Sequence, residues 1–381
     1  MTKRVIRFIF IGIFLCMLAV PMITTNFDEN KISEAENRKL APQPRLVNED
    51  KKVNKAFLQD FEKWINDNIG FRSQMVVQNA YVQYYVFNVL SNNSDMYLGP
   101  QGELNYATKE MLADYQHRNL YTEEALDKKS ESLQLLKNYS EKKGASFFYC
   151  QCWDKHSVYP EQFPVTVIQE GTESKTDRFI QAFREKTDVC IVSPKEDLIA
   201  AKDCYDTYST WGDPTHWTYR GAYIGYLTLM HAINEKLGTD YRILTDEDYQ
   251  ITLQDLGKTV FGGIHKTDVF ENIQVKNPTS RNTKEKLTLY ADDQRHRFFT
   301  NDTVDNNTRL LIIGDSYFND FIIDDLAESF HEVIILWGDY LHEYKEIMEA
   351  YEPDIVVVEA AERVDRTGRI EMGAEALKKL K

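Results

Sequence analysis

Apolar residues fall along this chain in three kinds of pattern, and the elements follow from them. The first is an unbroken run. Lys3, Arg4 and Arg7 are followed by an uncharged stretch from Phe8 to Ile23. Sixteen apolar-dominated residues lie between a signal-peptide core and a full span, and no small-x-small cleavage site follows in Val20 to Thr25. The reading is an uncleaved anchor over residues 1–25. Basic residues before it and acidic ones behind it (Asp28, Glu29, Glu34, Glu36) place the amino terminus inside and the rest of the chain outside.

The second pattern has helical spacing. Residues 26–45 are polar with prolines downstream and read as a linker. Phe57, Phe61, Trp64 and Ile65 then recur at three and four, followed by the aromatic run Tyr81 to Phe87, which predicts a small helical module and closes a second segment at residue 95. Met96 to Tyr106, two short apolar pieces around Gly99-Pro100-Gln101-Gly102, predicts a β-hairpin.

The third pattern alternates. Helices are expected over Thr122–Lys142, Ser174–Lys186 and Gly221–Lys236, and strands over Ser146–Cys150 and Asp188–Val192. Further strands follow over Arg309–Ile313, His331–Leu336 and Asp354–Val358, again with helical stretches between. Alternation of this kind means a parallel sheet covered by helices, an α/β domain over residues 96–381. Tyr241 to Phe299, with the turn Phe261-Gly262-Gly263-Ile264-His265, is irregular and is expected to be an insertion or lid outside the core.

Composition narrows the partners. A net charge of −15 and a pI near 5.1 argue against nucleic acid or an anionic lipid surface, both of which need clustered Lys and Arg. Five cysteines make no disulfide framework in a chain this long. Cys150 and Cys152 would share one face of a strand, and Cys190 and Cys204 stand nearby as buried thiols or exported disulfides rather than zinc ligands, since only His156 is close. The reading calls for no metal and no cofactor.

Two segments carry chemistry. Arg309 to Ile313 runs directly into Gly314-Asp315-Ser316 and then a helix, which puts Ser316 at the carboxyl end of a parallel strand beside free helix amides. The alternative there is a helix-capping serine. Trp211 to Tyr223 leads into an amphipathic helix and offers Asp213 three residues before His216. A serine hydroxyl needs an imidazole to take its proton, and the imidazole needs an anion to hold its tautomer, so the two segments together make Ser316, His216 and Asp213 a candidate triad. Trp211, Trp217, Tyr219, Tyr317 and Trp337 flank these motifs; Trp217 and Tyr317 are the candidates for stacking on sugar rings.

The chain resembles the SGNH-like acetyltransferase domain of the alginate O-acetylation proteins AlgJ and AlgX and the related DHHW proteins. Seven ordered segments carry the resemblance: Ser33 to Ala41, Phe61 to Arg72, Tyr97 to Gly99, Lys155 to Glu161, the Asp213 to Trp217 segment, the Ser316 strand, and Pro353 to Glu359 with Glu362-Arg363. It implies an SGNH-hydrolase-like parallel sheet flanked by helices. It also implies Ser316 as nucleophile, His216 as base and Asp213 as its orienter, in the family's order. The family usually places the aspartate two residues before the histidine, where this chain has Pro214; three is the spacing of ordinary SGNH esterases. The Gly-x-Asn-Asp element that supplies an oxyanion donor in those esterases is not found, which leaves backbone amides near Ser316, with Asn319 and Arg363 as further candidate contacts.

The implied activity is transfer of an acetyl group to a polysaccharide hydroxyl outside the cytoplasm, with a membrane-bound O-acyltransferase as donor partner. The same triad would serve an acetyl-esterase, and a non-catalytic polysaccharide-binding or assembly protein would keep the fold without the chemistry.

Overall fold

The uncharged amino-terminal run forms one continuous helix, α1 (Lys3–Ile23), in the computed structural model, which describes residues 3–28, 31–33, 38–47, 51–90, 95–260, 263–364 and 367–379. The acidic positions Glu29, Glu34 and Glu36, residues 34–37 of the first family-like segment, and Phe261-Gly262 lie outside the described residues. Helix α1 has no buried residue, and within its 21 residues an 18-residue window reaches a mean hydropathy of 2.5, the length and composition of a membrane anchor or a signal sequence.

The chain divides into two compact units, residues 1–94 with 259–266, and residues 95–258 with 267–381. In the first, α2 (Phe57–Asn68) and α3 (Arg72–Phe87) follow α1. Trp64 is the buried anchor of α2 and packs against Phe61 and Phe27, with ring centroids 5.6 and 5.5 Å away. Part of the segment expected as a linker is held on α2: the Asn68 side chain donates to Ala41 O at 2.9 Å, and Ala41 N donates to Asp67 Oδ2 at 2.9 Å. Extended backbone there meets acceptors and donors on the helix, which its polarity alone did not reveal.

The second unit opens with the hairpin β1 (Met96–Leu98) and β2 (Leu104–Tyr106). Then come α4 (Glu123–Lys142), β3 (Ser146–Cys152), α5 (Lys175–Lys186), β4 (Cys190–Val192) and α6 (Tyr219–Leu237). Thr122 caps α4 by accepting Ala125 N, and Ser174 with Asp177 forms a reciprocal capping box on α5. Helix α6 starts two residues before the expected Gly221, because Thr218 is its cap.

Strands β5 (Tyr249–Asp255) and β6 (Val269–Val275) pair antiparallel as a separate ribbon. Next are β7 (Arg281–Asn282), β8 (Arg297–Thr300), β9 (Arg309–Gly314), β10 (Glu332–Trp337) and β11 (Ile355–Ala361). Helices α7 (Ile323–Ala327), α8 (Tyr344–Tyr351) and α9 (Thr367–Lys378) fill the crossovers and the carboxyl end.

The main sheet runs in the order β7-β8-β10-β9-β11-β3-β4. From β10 to β4 every pairing is parallel; β8 joins β10 antiparallel. This is the expected parallel sheet flanked by helices. The expectation that Tyr241 to Phe299 lies outside the core is corrected at its end, where buried Phe298 and Phe299 carry β8 into the sheet. Strands β9, β10 and β11 are buried almost throughout, as both faces of a helix-covered sheet must be. Cys150 and Cys152 are buried free thiols in β3, and Cys190 and Cys204 are unpaired as well.

Asp325, in α7, is a buried acid of this core. Burial pushes its carboxyl up to about 8, and Asp324 and Glu328 add to the effect. In the unfolded chain such a group titrates near 3.9, so the native state alone keeps the proton between those values and stability falls as pH rises from about 4 to 8. Asp325→Asn is therefore expected to raise unfolding free energy by about 2 kcal/mol at pH 8 and by little at pH 4. Urea unfolding at the two pH values checks it; an equal effect at both would remove Asp325 as the source.

Candidate active site

Three neighbouring parallel strands end at one edge of the sheet, each with a polar residue just beyond. Strand β9 leads to Ser316, β11 to Glu362 and Arg363, and β3 to Trp153 and Asp154. The turn after β9 is fixed from several sides. Asp315 N donates to Glu359 Oε2 at 2.6 Å, Asp315 Oδ2 accepts Ala361 N at 3.0 Å, and Asp315 Oδ1 accepts Tyr317 N at 3.0 Å. A side chain at Gly314 would bring its Cβ within 2.6 Å of Glu359 Oε2, so glycine is what lets the turn close. The chain then winds into a helix with a π turn over Phe318–Ile322, closed by Ile323 N donating to Phe318 O.

His216 arrives on the loop before α6. Asp268 Oδ2 accepts the Trp211 and Gly212 amides and the Ser209 hydroxyl, and Ser209 Oγ in turn accepts Asp213 N at 2.8 Å. Trp217 is buried and fills the space over Gly225, where a Cβ would come within 2.6 Å of its ring. The imidazole is thus carried on a loop held at both ends.

His216 Nε2 lies 2.8 Å from Ser316 Oγ, and its Nδ1 lies 3.0 Å from Asp213 Oδ2. Thr215 Oγ1 donates to Asp213 Oδ1 at 2.5 Å and sits 2.9 Å from His216 Nδ1. With the Thr215 proton committed to Asp213, both groups facing Nδ1 are acceptors. That assigns the ring proton to Nδ1 and leaves Nε2 free to accept from Ser316. Burial alone would raise the Asp213 carboxyl, but hydrogen bonds and charge from His216, with the two bonds from Thr215, hold it well below the usual carboxylate range.

Arg363 closes the site from β11. Its Nη2 lies 3.2 Å from His216 Nε2, and its Nη1 donates to Thr215 O at 2.6 Å and to Asp154 Oδ1. The Tyr317 hydroxyl, with one proton to give, lies within 2.9 to 3.1 Å of three acceptors in the same network, Trp153 O, Asp154 Oδ1 and Thr215 O, and the guanidinium sits over the Tyr317 ring at 5.0 Å. Asp154 is 2% exposed, and Arg363 is its ion-pair partner.

The structure brings Ser316, His216, Asp213 and Arg363 together. It corrects the expectation for Trp217 and Tyr317: both rings are fully buried, with centroids 4.9 Å apart, and neither offers a face to a sugar. They support the loop and the nucleophile turn from below. Asn319 is also buried, its amide donating to Asp320 Oδ1 at 3.1 Å, and it makes no contact with the triad. Sequence reasoning missed Asp154, Thr215 and Phe321, whose ring lies 5.5 Å from the imidazole. The signal for Asp154 was its place directly before the Lys155 segment of the resemblance.

Asp154, His156 and Glu362 form a buried group whose ligating atoms lie within 4.8 Å of one another. Protein donors already serve it: Glu362 accepts Asp154 N at 2.9 Å and Ser157 Oγ at 2.8 Å, and Arg363 neutralises Asp154.

Fold and site together describe an α/β protein with a serine, histidine and aspartate in hydrogen-bonded series at the carboxyl edge of its sheet. Among solved structures the chain is similar to Bacillus cereus PatB1 with a sulfonyl adduct, at 18% identity and a TM-score of 0.55, covering 73% of this chain and 99% of that one. It also matches a DHHW family protein from Eubacterium siraeum (17% identity, 68% and 90% covered, TM-score 0.47). A third match is the O-acetyltransferase domain of Pseudomonas putida AlgJ (12% identity, 72% and 92% covered, TM-score 0.47). At these identities the likeness is one of fold. No family model matches the sequence, and no curated protein matches it significantly.

Removing one partner of a buried ion pair strands the other. Arg363→Ala is expected to cost roughly 3–5 kcal/mol of stability by leaving Asp154 uncompensated. Adding Asp154→Asn with Arg363→Met should recover much of that loss in urea unfolding. A single variant within about 0.5 kcal/mol of wild type would show that Asp154 is not charged in the folded protein.

Proposed function

We propose that this protein is a membrane-anchored, extracytoplasmic O-acetyltransferase that acylates a polysaccharide through an acetyl-serine intermediate. The observation that carries the reading is the series Asp213–His216–Ser316, with Nε2 2.8 Å from the serine oxygen at the ligand-binding edge of a parallel sheet. The ordered sequence resemblance and the likeness of fold to PatB1 support it.

In the first half-reaction His216 Nε2 takes the Ser316 hydroxyl proton as Oγ attacks the acetyl carbonyl of the donor. Asp213 and Thr215 hold the Nδ1–H tautomer and stabilise the imidazolium that forms. The tetrahedral oxyanion is held by amides at the start of the helix. Asp315 already engages the Tyr317 and Asn319 amides, so the role falls to the Ser316 amide, with the Arg363 charge close by. Collapse expels the donor's alcohol or thiol group, which takes the proton from His216. In the second half-reaction His216 removes a proton from a glycan hydroxyl, whose oxygen attacks the acetyl-serine; the Oγ–acyl bond breaks and His216 returns the proton to Ser316 Oγ.

In this reading residues 1–25 anchor the chain, 26–95 form a membrane-proximal module and 96–381 the catalytic domain. The acetyl donor is supplied by a membrane-bound O-acyltransferase. No cofactor is required, because the acyl group and protons are the only species moved.

The test is incubation of the full chain with an activated acetyl ester and glycan oligomers, following enzyme and sugar by mass spectrometry. Acetylated sugar and a Ser316-linked acetyl group are expected, with Ser316→Ala lowering transfer by about 10⁴-fold or more and Asp213→Asn by about 10³–10⁴-fold. Free acetate with unmodified sugar would make the protein an esterase. An unaltered rate in Ser316→Ala would remove the triad.

A further inference from the structure

No charged residue occurs between Arg72 and Asp95, in a protein where 28% of residues are charged. Helix α3 occupies most of that stretch, and Ala80 is its one buried residue. Tyr85, Val86 and Phe87 are 69%, 68% and 66% exposed, and Tyr81, Val82 and Val89 are exposed beside them. Tyr81 with Tyr85, and Val82 with Val86, share one side of the helix at four-residue spacing, and the two tyrosine rings stack at 5.7 Å. An uncharged face of this size is unfavourable in water and marks a contact surface.

The root of α3 is fixed to the end of α1. Gly70 N donates to Pro21 O, in the last turn of α1, at 2.9 Å. The approach is so close that a Cβ on Gly70 would lie 1.8 Å from Thr24 Oγ1. Asn26 and Asn68 bond each other through both backbone and side chains, at 2.8 and 2.7 Å. If α1 spans the bilayer, as proposed above, α3 therefore begins where the span emerges.

Tyrosine and phenylalanine beside neutral Gln, Asn and Ser is the chemistry of the headgroup boundary, where an amphipathic ring keeps one end apolar and the other wet. We infer that α3 is a second membrane contact, lying in the bilayer interface with its tyrosine and valine side among the upper acyl chains. The inference rests on the membrane-anchor reading of α1. Because α3 carries no Lys or Arg after its first residue, the contact needs no anionic lipid.

The test places the photoreactive residue p-benzoylphenylalanine at Val86 and, in a second variant that keeps an aromatic ring, at Tyr85. A third variant carries it at Met17, on exposed α1. Each full chain is reconstituted into neutral phosphatidylcholine nanodiscs, irradiated and weighed. Lipid adducts at Met17, Val86 and Tyr85, each adding the mass of one phospholipid, are the expected result. Adducts at Met17 with none at Val86 and Tyr85, or cross-links there to protein, would overturn the interfacial helix and leave the anchor standing. No lipid adduct at Met17 would remove the anchor reading and the inference with it.

Discussion

Side-chain carboxylates stitching neighbouring strand ends together are what the remaining architecture depends on. Where parallel strands leave a sheet their amides lose ladder partners, and a buried amide must find another acceptor. Here Glu359 takes Asp315 N, Asp315 takes Ala361 N, and Glu362 takes Asp154 N. The three bonds tie β9 to β11 and β11 to β3, so Ser316, Arg363 and Asp154 are placed by the sheet's own register rather than by loops. Each bond satisfies a backbone amide that would otherwise be stranded, and three across neighbouring strand ends make a rigid edge. The histidine loop is then needed only to bring one imbalanced element, His216, against that edge.

Much of the sheet was legible because its strands are short β-branched runs. Arg309–Ile313 and Asp354–Val358 read as buried strands on composition alone, and the structure extends them only by a few residues into the turns that carry function. Helices were expected from Thr122 and Ser174, and in the structure those two residues are the caps of the helices that follow. Strand β8 was not: Arg297-Phe298-Phe299-Thr300 is four residues without alternation, and only pairing with β10 makes it a strand.

At the site, the chemistry-bearing residue types were visible and their surroundings were not. The Asp-x-x-His spacing and the strand–turn–serine pattern named Asp213, His216 and Ser316 as candidates, and those three lie within hydrogen-bond reach of one another. Aromatic residues beside a motif carry no mark of which way they face. Trp217 and Tyr317 point into the core, where Gly225 leaves space for the first and the Arg363 guanidinium covers the second. Asp154 was hidden for a related reason: a buried carboxylate reads as a surface charge until its cation, more than two hundred residues away in sequence, is placed beside it.

The π turn after Ser316 has a consequence for how this chain tolerates length changes. A π turn carries one more residue than the α turn it replaces. That surplus sits between the nucleophile and α7, and it sets the angular phase of Phe321, whose ring lies against both His216 and Tyr219. Deleting one residue from Phe318 to Ile322 would restore ordinary winding, turning side chains within the turn by about 100° around the helix axis while those after it kept their phase. Phe321 would leave the imidazole while α7 kept its seat. The segment therefore behaves as a phase adjuster: the screw of the helix, and not its composition, decides which side chain meets the base.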